Sequence, residues 1–169
     1  EHEANAIINL GHRLGLSLNK PLPTNGRFIS MNASAYVTSV YENDEDKYGA
    51  SMAVDGGMQT RWAAADTLAT LTIELDEKKS FNKISIFEYQ DEQYASDGFS
   101  NIRTNRIQEY NISILQDGEW KMIYTDNESM GDCKVIRFPQ SYHAAKIRLE
   151  ITKAIAPPSI KEFNVIDFK

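Results

Sequence analysis

Apolar and polar residues alternate along several segments of this chain with a period of two. In 71–75 leucine and isoleucine alternate with threonine and glutamate, and similar alternation runs through 120–125 and 146–151. Successive side chains of a β-strand point to opposite faces, so the alternation predicts strands with one buried face. In 120–125 the apolar residues of that face include Trp120 and Met122.

Further segments extend the strand pattern. The dipeptide Asp117-Gly118 favours a tight hairpin turn between two strands. Because no helical segments alternate with these short strands, the pattern predicts an all-β fold, an antiparallel β-sandwich. The additional strands are predicted at 83–89, 110–115, 134–138 and 160–168.

The first 27 residues do not share this pattern. Ile7, Ile8 and Leu14 fall roughly at helical spacing, but glycines at 11 and 15 weaken a helix. Prolines at 21 and 23 interrupt it further. We therefore predict a helical or irregular lead-in or linker over 1–27 and a folded domain over 28–169.

The composition fits a compact domain. The 169 residues are 41% hydrophobic and 25% charged, which suits one core and one domain with a short appendage. The formal net charge is −6 and the basic residues form no stripe, so a nucleic-acid partner is not expected. No apolar run approaches the roughly 20 residues that cross a bilayer, so a membrane-spanning segment is not expected either.

Several catalytic chemistries lack support in the sequence. Cys133 is the single cysteine, which excludes an intrachain disulfide. His2, His12 and His143 show no metal-ligand spacing, so neither a zinc site nor a nucleophilic triad is predicted. Carboxylates are plentiful, but none forms a recognisable acid/base pair, and an independent enzyme is therefore the least favoured reading.

The segment 53–62, Ala-Val-Asp-Gly-Gly-Met-Gln-Thr-Arg-Trp, suits a tight loop around a hard cation. Asp55 offers a carboxylate, Gly56 and Gly57 permit backbone angles that turn carbonyls inward, and Thr60 adds a hydroxyl and a carbonyl. These ten residues taken alone also fit an ordinary Asp-Gly turn anchored by a buried Trp62.

Two long polar segments interrupt the strand pattern, at 41–48 and 90–105. Loops of such length in a compact domain are usually functional or disordered. The acidic segment 41–48 is more typical of a solvated turn than of a second metal site. The segment 90–105 carries aromatic residues and planar donors, so a sugar-binding loop and an ordinary loop both remain open there.

A series of short motifs in order resembles one family, the discoidin-like carbohydrate-binding modules, also called coagulation factor 5/8 type C or family 32 modules. From 106 to 162 the chain is most similar to the C-terminal modules of bacterial family 29 α-L-fucosidases. The resemblance implies a jelly-roll sandwich. The motifs are Asn-Ala-Ser-Ala-Tyr at 32–36, Ala-Val-Asp-Gly at 53–56, Thr-Arg-Trp at 60–62, Asn-Arg-Ile at 105–107, Gln-Asp-Gly-Glu-Trp at 116–120, Lys-Ile-Arg-Leu at 146–149 and Ile-Lys-Glu-Phe at 160–163.

The resemblance also implies a structural calcium ion where the Asp-Gly loop meets the final strand. Carried over to this sequence, the side-chain ligands are Asp55, Thr60 and Glu162. Two carboxylates with several neutral oxygens match the shell of about 6 to 8 oxygens that calcium prefers. The carbonyl ligands implied are those of Gly57, Met52 and Lys161.

In similar modules the sugar site lies on loops at one end of the sandwich. Galactose-binding members often have a histidine directly after the tryptophan of the metal loop, where this chain has Ala63. Galactose specificity is therefore in doubt. The candidate sugar-binding residues are Tyr41, Tyr48, Arg61, Tyr89, Arg103 and Asn105.

The function that these expectations favour is a non-catalytic carbohydrate-binding module with a structural calcium site. Its partners would be a glycan and an upstream glycoside hydrolase domain of the same polypeptide, in a secreted, periplasmic or cell-surface protein. The alternative is a discoidin domain for protein or surface adhesion. Binding to an anionic lipid surface is disfavoured by the acidic residues of segment 41–48.

Overall fold

A computed structural model describes residues 26–94 and 101–169, with side chains at 26–91 and 104–169. Antiparallel strands dominate it, and the predicted all-β sandwich is confirmed. Helical structure in the described part is limited to α1 (Glu45–Tyr48) and the 3₁₀ turns Tyr41–Asn43 and Ala50–Ala53. The strands are β1 (Gly26–Phe28), β2 (Ser34–Val37), β3 (Trp62–Ala63), β4 (Ala69–Glu88), β5 (Asp91–Tyr94), β6 (Asn101–Thr104), β7 (Ile107–Gln116), β8 (Glu119–Asp126), β9 (Cys133–Ala154) and β10 (Ser159–Phe168).

Two long bent strands, β4 and β9, connect the two layers of the sandwich. The predicted strands at 71–75 and 83–89 are both parts of β4, and those at 134–138 and 146–151 are both parts of β9. Their pairing shifts register between Glu74 and Lys79 and again between Phe81 and Lys83. The polar run that separates the predicted strands is therefore a bend in one strand.

Each half of β4 belongs to a different layer. The first half pairs with β2 and with the second half of β9, which continues to β7 and β8. The second half pairs with β10 and with the first half of β9. Buried aliphatic side chains of both halves, such as Leu71 and Ile84, join one core with Trp62. Burying each such side chain stabilises the fold by about 1.5–3 kcal/mol.

The hairpin between β7 and β8 turns at Asp117-Gly118 as predicted. Both residues have positive φ, 51° and 82°, as a two-residue turn of this kind requires. The predicted burial of β8 is wrong for Trp120, which is 36% exposed, and for Met122, which is 56% exposed, whereas Tyr124 of the same predicted face packs against the core. A bulge in the pairing at Ile112 and Ser113 shifts the register of this edge strand, and Arg148 covers the Trp120 ring at 4.2 Å.

Two other predictions meet the structure only in part. The predicted loop 90–105 contains a hairpin, in which β5 pairs with β6. Of the predicted lead-in 1–27, residues 1–25 lie outside the described part, while β1 begins at Gly26 and pairs with the end of β10. No helix in the described residues is long and apolar enough to cross a membrane.

Candidate functional site

The Asp-Gly loop is fixed at both of its ends. Trp62 is completely buried, and its indole N–H donates to the carbonyl of Ser39 at 3.1 Å. The short strand β3 that carries Trp62 pairs with the start of β10. At the other end, the backbone N–H of Asn32 donates to the carbonyl of Val54 at 2.8 Å. The loop therefore has little freedom to move away from the sandwich.

Asp55 and Glu162 turn their carboxylates into this loop. Asp55 Oδ1 accepts from the N–H of Gly57 at 2.7 Å, and Asp55 Oδ2 accepts from the Thr60 hydroxyl at 2.6 Å. Glu162, fully buried on β10, accepts from the N–H of Gly56 at 2.6 Å. The two carboxylates thus accept from consecutive backbone amides, which places them side by side.

Both glycines of the loop are required by its geometry. Gly56 has a φ of 79°, a backbone conformation that residues other than glycine rarely adopt. A Cβ atom on Gly57 would lie 2.7 Å from Thr60 Oγ1 and 3.0 Å from Asp55 Oδ1. The loop can close around its own oxygen atoms only because neither position has a side chain.

The donor set of this loop consists of oxygen atoms. Among the described residues no group of three or more His, Cys, Asp or Glu side chains is arranged to hold a metal ion. A cation here would therefore have two carboxylates and neutral oxygens, which is a hard-cation environment. Of the predicted carbonyl ligands, Met52 lies in the turn Ala50–Ala53, and Lys161 directly precedes Glu162 on β10.

Four of the six predicted sugar-binding residues come together beside this loop. The Arg61 guanidinium carbon lies 5.1 Å from the ring centre of Tyr48 and 3.9 Å from that of Tyr89. Tyr41 meets Tyr48 edge to face, with ring centres 5.5 Å apart. Arg61 Nη1 also donates to the hydroxyl of Ser159 at 2.9 Å. We call Tyr41, Tyr48, Arg61 and Tyr89 the tyrosine–arginine cluster.

Of the other two predicted residues, Asn105 does not join this cluster, and the side chain of Arg103 lies outside the described residues. The Asn105 amide donates to Glu88 at 3.0 Å and accepts from Gln90 at 2.6 Å. Glu88 also accepts from the backbone N–H groups of Arg106 and Ile107. Burial raises the pKa of Glu88, and these donors oppose that shift. The Asn105 side chain therefore connects Gln90 with the buried Glu88.

A hollow of about 330 Å³ opens between the Asp-Gly loop and helix α1. Tyr48 and Arg61 line it together with Lys47, Gln59 and Thr60. The hollow offers an aromatic ring, planar and charged donors, and amide and hydroxyl groups within one small space. Such a set can cover an apolar ring face and hydrogen-bond the hydroxyl groups around it.

The family model of the F5/8 type C domain matches residues 30–163. This chain belongs to the F5/8 type C domain family. The match spans the Asp-Gly loop, the tyrosine–arginine cluster and Glu162. No curated protein sequence matches the chain.

Solved structures of carbohydrate-binding modules share the fold of this F5/8 type C domain. A family 32 module of Clostridium perfringens NanJ, solved with galactose, is 20% identical with a TM-score of 0.67, covering 84% of this chain and 99% of its own. Chitosan-binding module 1 of a chitosanase/glucanase from Paenibacillus sp. IK-5 is 21% identical with a TM-score of 0.67, covering 82% of this chain and 98% of its own.

A larger protein contains the same fold as one part. A proposed α-L-fucosidase from Bacteroides thetaiotaomicron is 18% identical with a TM-score of 0.69. The similarity covers 96% of this chain but only 31% of that protein. The region similar to this chain is therefore less than one third of that protein.

Sequence reasoning missed several residues of this F5/8 type C domain that surround the tyrosine–arginine cluster. Ser159 accepts from Arg61 and donates to the carbonyl of Trp62 at 2.8 Å. The amino group of Lys161 lies 5.8 Å from the Tyr89 ring centre, as does the guanidinium of Arg106, which pairs with Asp91. Arg106 and Lys161 belong to motifs quoted above, but those motifs do not assign them to the cluster, because all three residues are distant from Arg61 in sequence and only the fold brings them near it.

Proposed function

We propose that this F5/8 type C domain is a non-catalytic carbohydrate-binding module that holds an attached glycoside hydrolase near its glycan. The observation that carries the proposal is the tyrosine–arginine cluster at the edge of the 330 Å³ hollow. Its aromatic and planar groups converge from three separate segments of the chain. The module fold of the similar structures supports this assignment.

Arg61 is the proposed hydrogen-bond donor to the sugar. Its guanidinium lies between two tyrosine rings, and Ser159 accepts one of its N–H groups. The orientation of the guanidinium is therefore set before a ligand arrives, which lowers the entropy cost of binding. Its remaining N–H groups can donate to adjacent hydroxyl groups of one sugar ring.

Tyr48 and Tyr41 are the proposed stacking residues. Tyr48 lines the hollow, and Tyr41 is exposed beside it. Tyr89 contacts Arg61 more closely, at 3.9 Å, so its proposed role is to support the guanidinium. Ala63 has no hydrogen-bonding side chain and is buried within β3, so this position cannot supply the histidine contact of galactose-binding relatives.

We include a structural calcium ion in this proposal. Burying a carboxylate is costly unless its charge is balanced, and Glu162 is fully buried beside Asp55. Asp55, Thr60 and Glu162 would supply side-chain oxygens, with carbonyls from Gly57, Met52 and Lys161. The ion would hold the Asp-Gly loop against β10, and it would take no part in a reaction.

The proposed benefit to the attached enzyme is a higher local concentration of substrate. A module that binds weakly still keeps a tethered catalytic domain near its glycan, because the second encounter becomes intramolecular. The fucosidase-like protein with the same fold supports an attached hydrolase of that kind. Such a protein would act at the cell surface, in the periplasm or after secretion.

A glycan screen with the whole chain tests the proposal, run once with calcium and once with EDTA. We expect at least one glycan to bind in calcium and to bind more weakly in EDTA. Screening an Arg61→Ala variant in parallel shows whether binding uses the cluster. A folded, calcium-loaded chain that binds no glycan would contradict the proposed function.

The chain alone should also lack glycosidase activity. We expect no turnover of a panel of aryl glycosides by the purified protein. Turnover that disappears in a single Asp or Glu variant would show that the domain is an enzyme.

A further inference from the structure

A second hollow, larger than the first, lies along the edge of the sandwich. Its volume is about 460 Å³, against about 330 Å³ beside the tyrosine–arginine cluster. Tyr36 of β2 and Glu74, Asp76 and Lys79 of β4 line it. We call this second hollow the edge groove. None of the predicted metal or sugar residues lines it.

The bend of β4 creates the edge groove. Ser34 pairs with Glu74, so Ser34, Tyr36 and Glu74 share the outer face of the sheet. Beyond Glu74 the pairing with β9 is interrupted until Lys79. The strand turns away over this interval and leaves a concave surface, whose apolar floor includes the buried side chains of Ile29 and Leu75.

The lining of the edge groove combines an aromatic ring with hydrogen-bonding groups. Tyr36 is 57% exposed, so a ligand can reach its ring. The carboxylate of Asp76 is 2.6 Å from the amino group of Lys79, and its side chain is 80% exposed. Glu74 lies 3.5 Å from Lys146 and is partly exposed. Acceptors and a donor thus stand near an accessible aromatic ring.

The edge groove and the first hollow share no lining residue, although the Asp-Gly loop lies next to both. Met31, which lines the edge groove, comes so close to Gly56 that a Cβ there would lie 2.8 Å from its sulfur. Gln59 and Thr60 of the same loop line the first hollow. The two hollows are therefore separate sites, and both lie near the Asp-Gly loop.

We propose that the edge groove is a second saccharide site, which binds a hexopyranose without an acidic substituent. Tyr36 covers the apolar face of the sugar ring, and Glu74 and Asp76 accept hydrogen bonds from its hydroxyl groups. Both carboxylates are already paired, Asp76 with Lys79 and Glu74 with Lys146, so neither lysine is left to neutralise the charge of an anionic sugar. The proposal does not depend on sugar binding at the tyrosine–arginine cluster. Two sites on one domain increase its avidity for a polysaccharide.

The test is an NMR titration of the ¹⁵N-labelled chain with galactose, N-acetylgalactosamine, chitotriose and galacturonic acid. We expect at least one neutral or amino saccharide to shift the amides of Tyr36, Glu74 and Lys79, and galacturonic acid to leave them unchanged. Tyr36→Ala should weaken this response about tenfold, whereas Tyr36→Phe keeps it, because the ring is the contact. Tyr48→Ala is the matched control, and it should leave the edge-groove response intact.

Each outcome decides between the two sites. Saccharide shifts confined to Tyr48, Arg61 and Tyr89 would overturn the edge-groove site and leave the proposed function standing. Shifts confined to the edge groove would support this site and contradict the proposed role of the cluster. Shifts in the edge groove that persist unchanged in Tyr36→Ala, a response to galacturonic acid there, or no shift with any saccharide would overturn the inference.

Discussion

The Asp-Gly loop and the tyrosine–arginine cluster are neighbours, but they use their polar groups in opposite ways. In the loop, both oxygens of Asp55 accept hydrogen bonds within the loop, and Glu162 is fully buried. In the cluster, Tyr41 is exposed, and Arg61 directs one N–H to Ser159. The comparison supports the proposal that the loop stabilises the domain and that the cluster contacts the ligand. Changes in the loop should therefore affect folding, and changes in the cluster should affect affinity.

The largest expected effect is the loss of calcium stabilisation in Glu162→Gln. At a calcium concentration about one hundred times the Kd, binding adds about 2.7 kcal/mol to the free energy of unfolding. We expect EDTA to lower the Tm of the unmodified chain by several degrees and to leave the Tm of the variant unchanged. Scanning calorimetry in calcium and in EDTA measures both.

Asp55→Ala should lose the same response, because it removes the other carboxylate. Lys121→Ala, an exposed substitution on β8, should retain it. If EDTA leaves the melting curve of the unmodified chain unchanged and elemental analysis finds no metal, the calcium assignment is wrong.

A smaller effect is expected from Gly57→Ala. The new Cβ would lie 2.7 Å from Thr60 Oγ1, so the hydroxyl must move away from Asp55. Such crowding costs about 1–3 kcal/mol, and the loss of a ligand position should also weaken the calcium response. Urea unfolding in calcium and in EDTA separates these two contributions.

Gly118→Ala is the control for that substitution. A Cβ at Gly118 meets nothing within 4 Å, although its φ of 82° makes alanine strained there. This variant should lose some stability and keep its full calcium response. An equal calcium response in both glycine variants would show that a side chain at position 57 does not disturb the calcium site.

The smallest expected effect lies outside both regions. The ion pair with Lys134, whose amino group is 2.7 Å away, holds the pKa of Asp126 below its ordinary value of 3.8. Because the pKa of Asp126 is lower in the folded state than in the unfolded state, the ion pair stabilises the fold fully above the unfolded-state pKa. This stabilisation is lost as the pH falls through the folded-state pKa. Asp126→Asn should therefore flatten the acid limb of the stability curve without altering glycan affinity.

Unfolding measured by circular dichroism from neutral to acidic pH checks the slope, with Glu128→Gln as the surface control. A change in glycan affinity in Asp126→Asn would mean that the site extends to β8, and the division between the regions would fail.

The residue pattern predicts segments of β4, β7, β8, β9 and β10, and the Asp-Gly pair predicts the turn at 117–118, because both depend on local chemistry; it does not predict the short strands β1, β2, β3, β5 and β6. It could not predict that β4 is continuous. Its polar run at 76–80 has the composition of a loop, and the strand persists there only because it bends between two layers. The same limit explains Trp120, since a bulge in the pairing of β7 with β8 determines which face is exposed.

The candidate site was predictable to the extent that its tyrosines border the polar segments that interrupt the strand pattern and its arginine lies in the Asp-Gly segment. Arg61, Tyr48 and Tyr89 were selected by residue type, and strand pairing brings them together. Asn105 has the same kind of side chain as a sugar ligand, but the buried Glu88 accepts its hydrogen bond. No sequence feature shows that Glu88 is buried, because the burial depends on strands that are distant in the chain.

The most direct measurement is calorimetric titration of a glycan from the screen into the unmodified chain and the variants Arg61→Ala and Tyr89→Ala. Arg61→Ala removes a charge-assisted hydrogen bond worth about 1–3 kcal/mol, and Tyr89→Ala removes the ring that holds the guanidinium in place, so we predict at least a tenfold loss of affinity in both variants. The Tm and the calcium response should stay unchanged. Arg27→Ala is the matched control and should bind normally, because Arg27 lies on β1, where it pairs with Asp167 at the far end of β10. Full affinity in both cluster variants, with folding intact, would contradict the account.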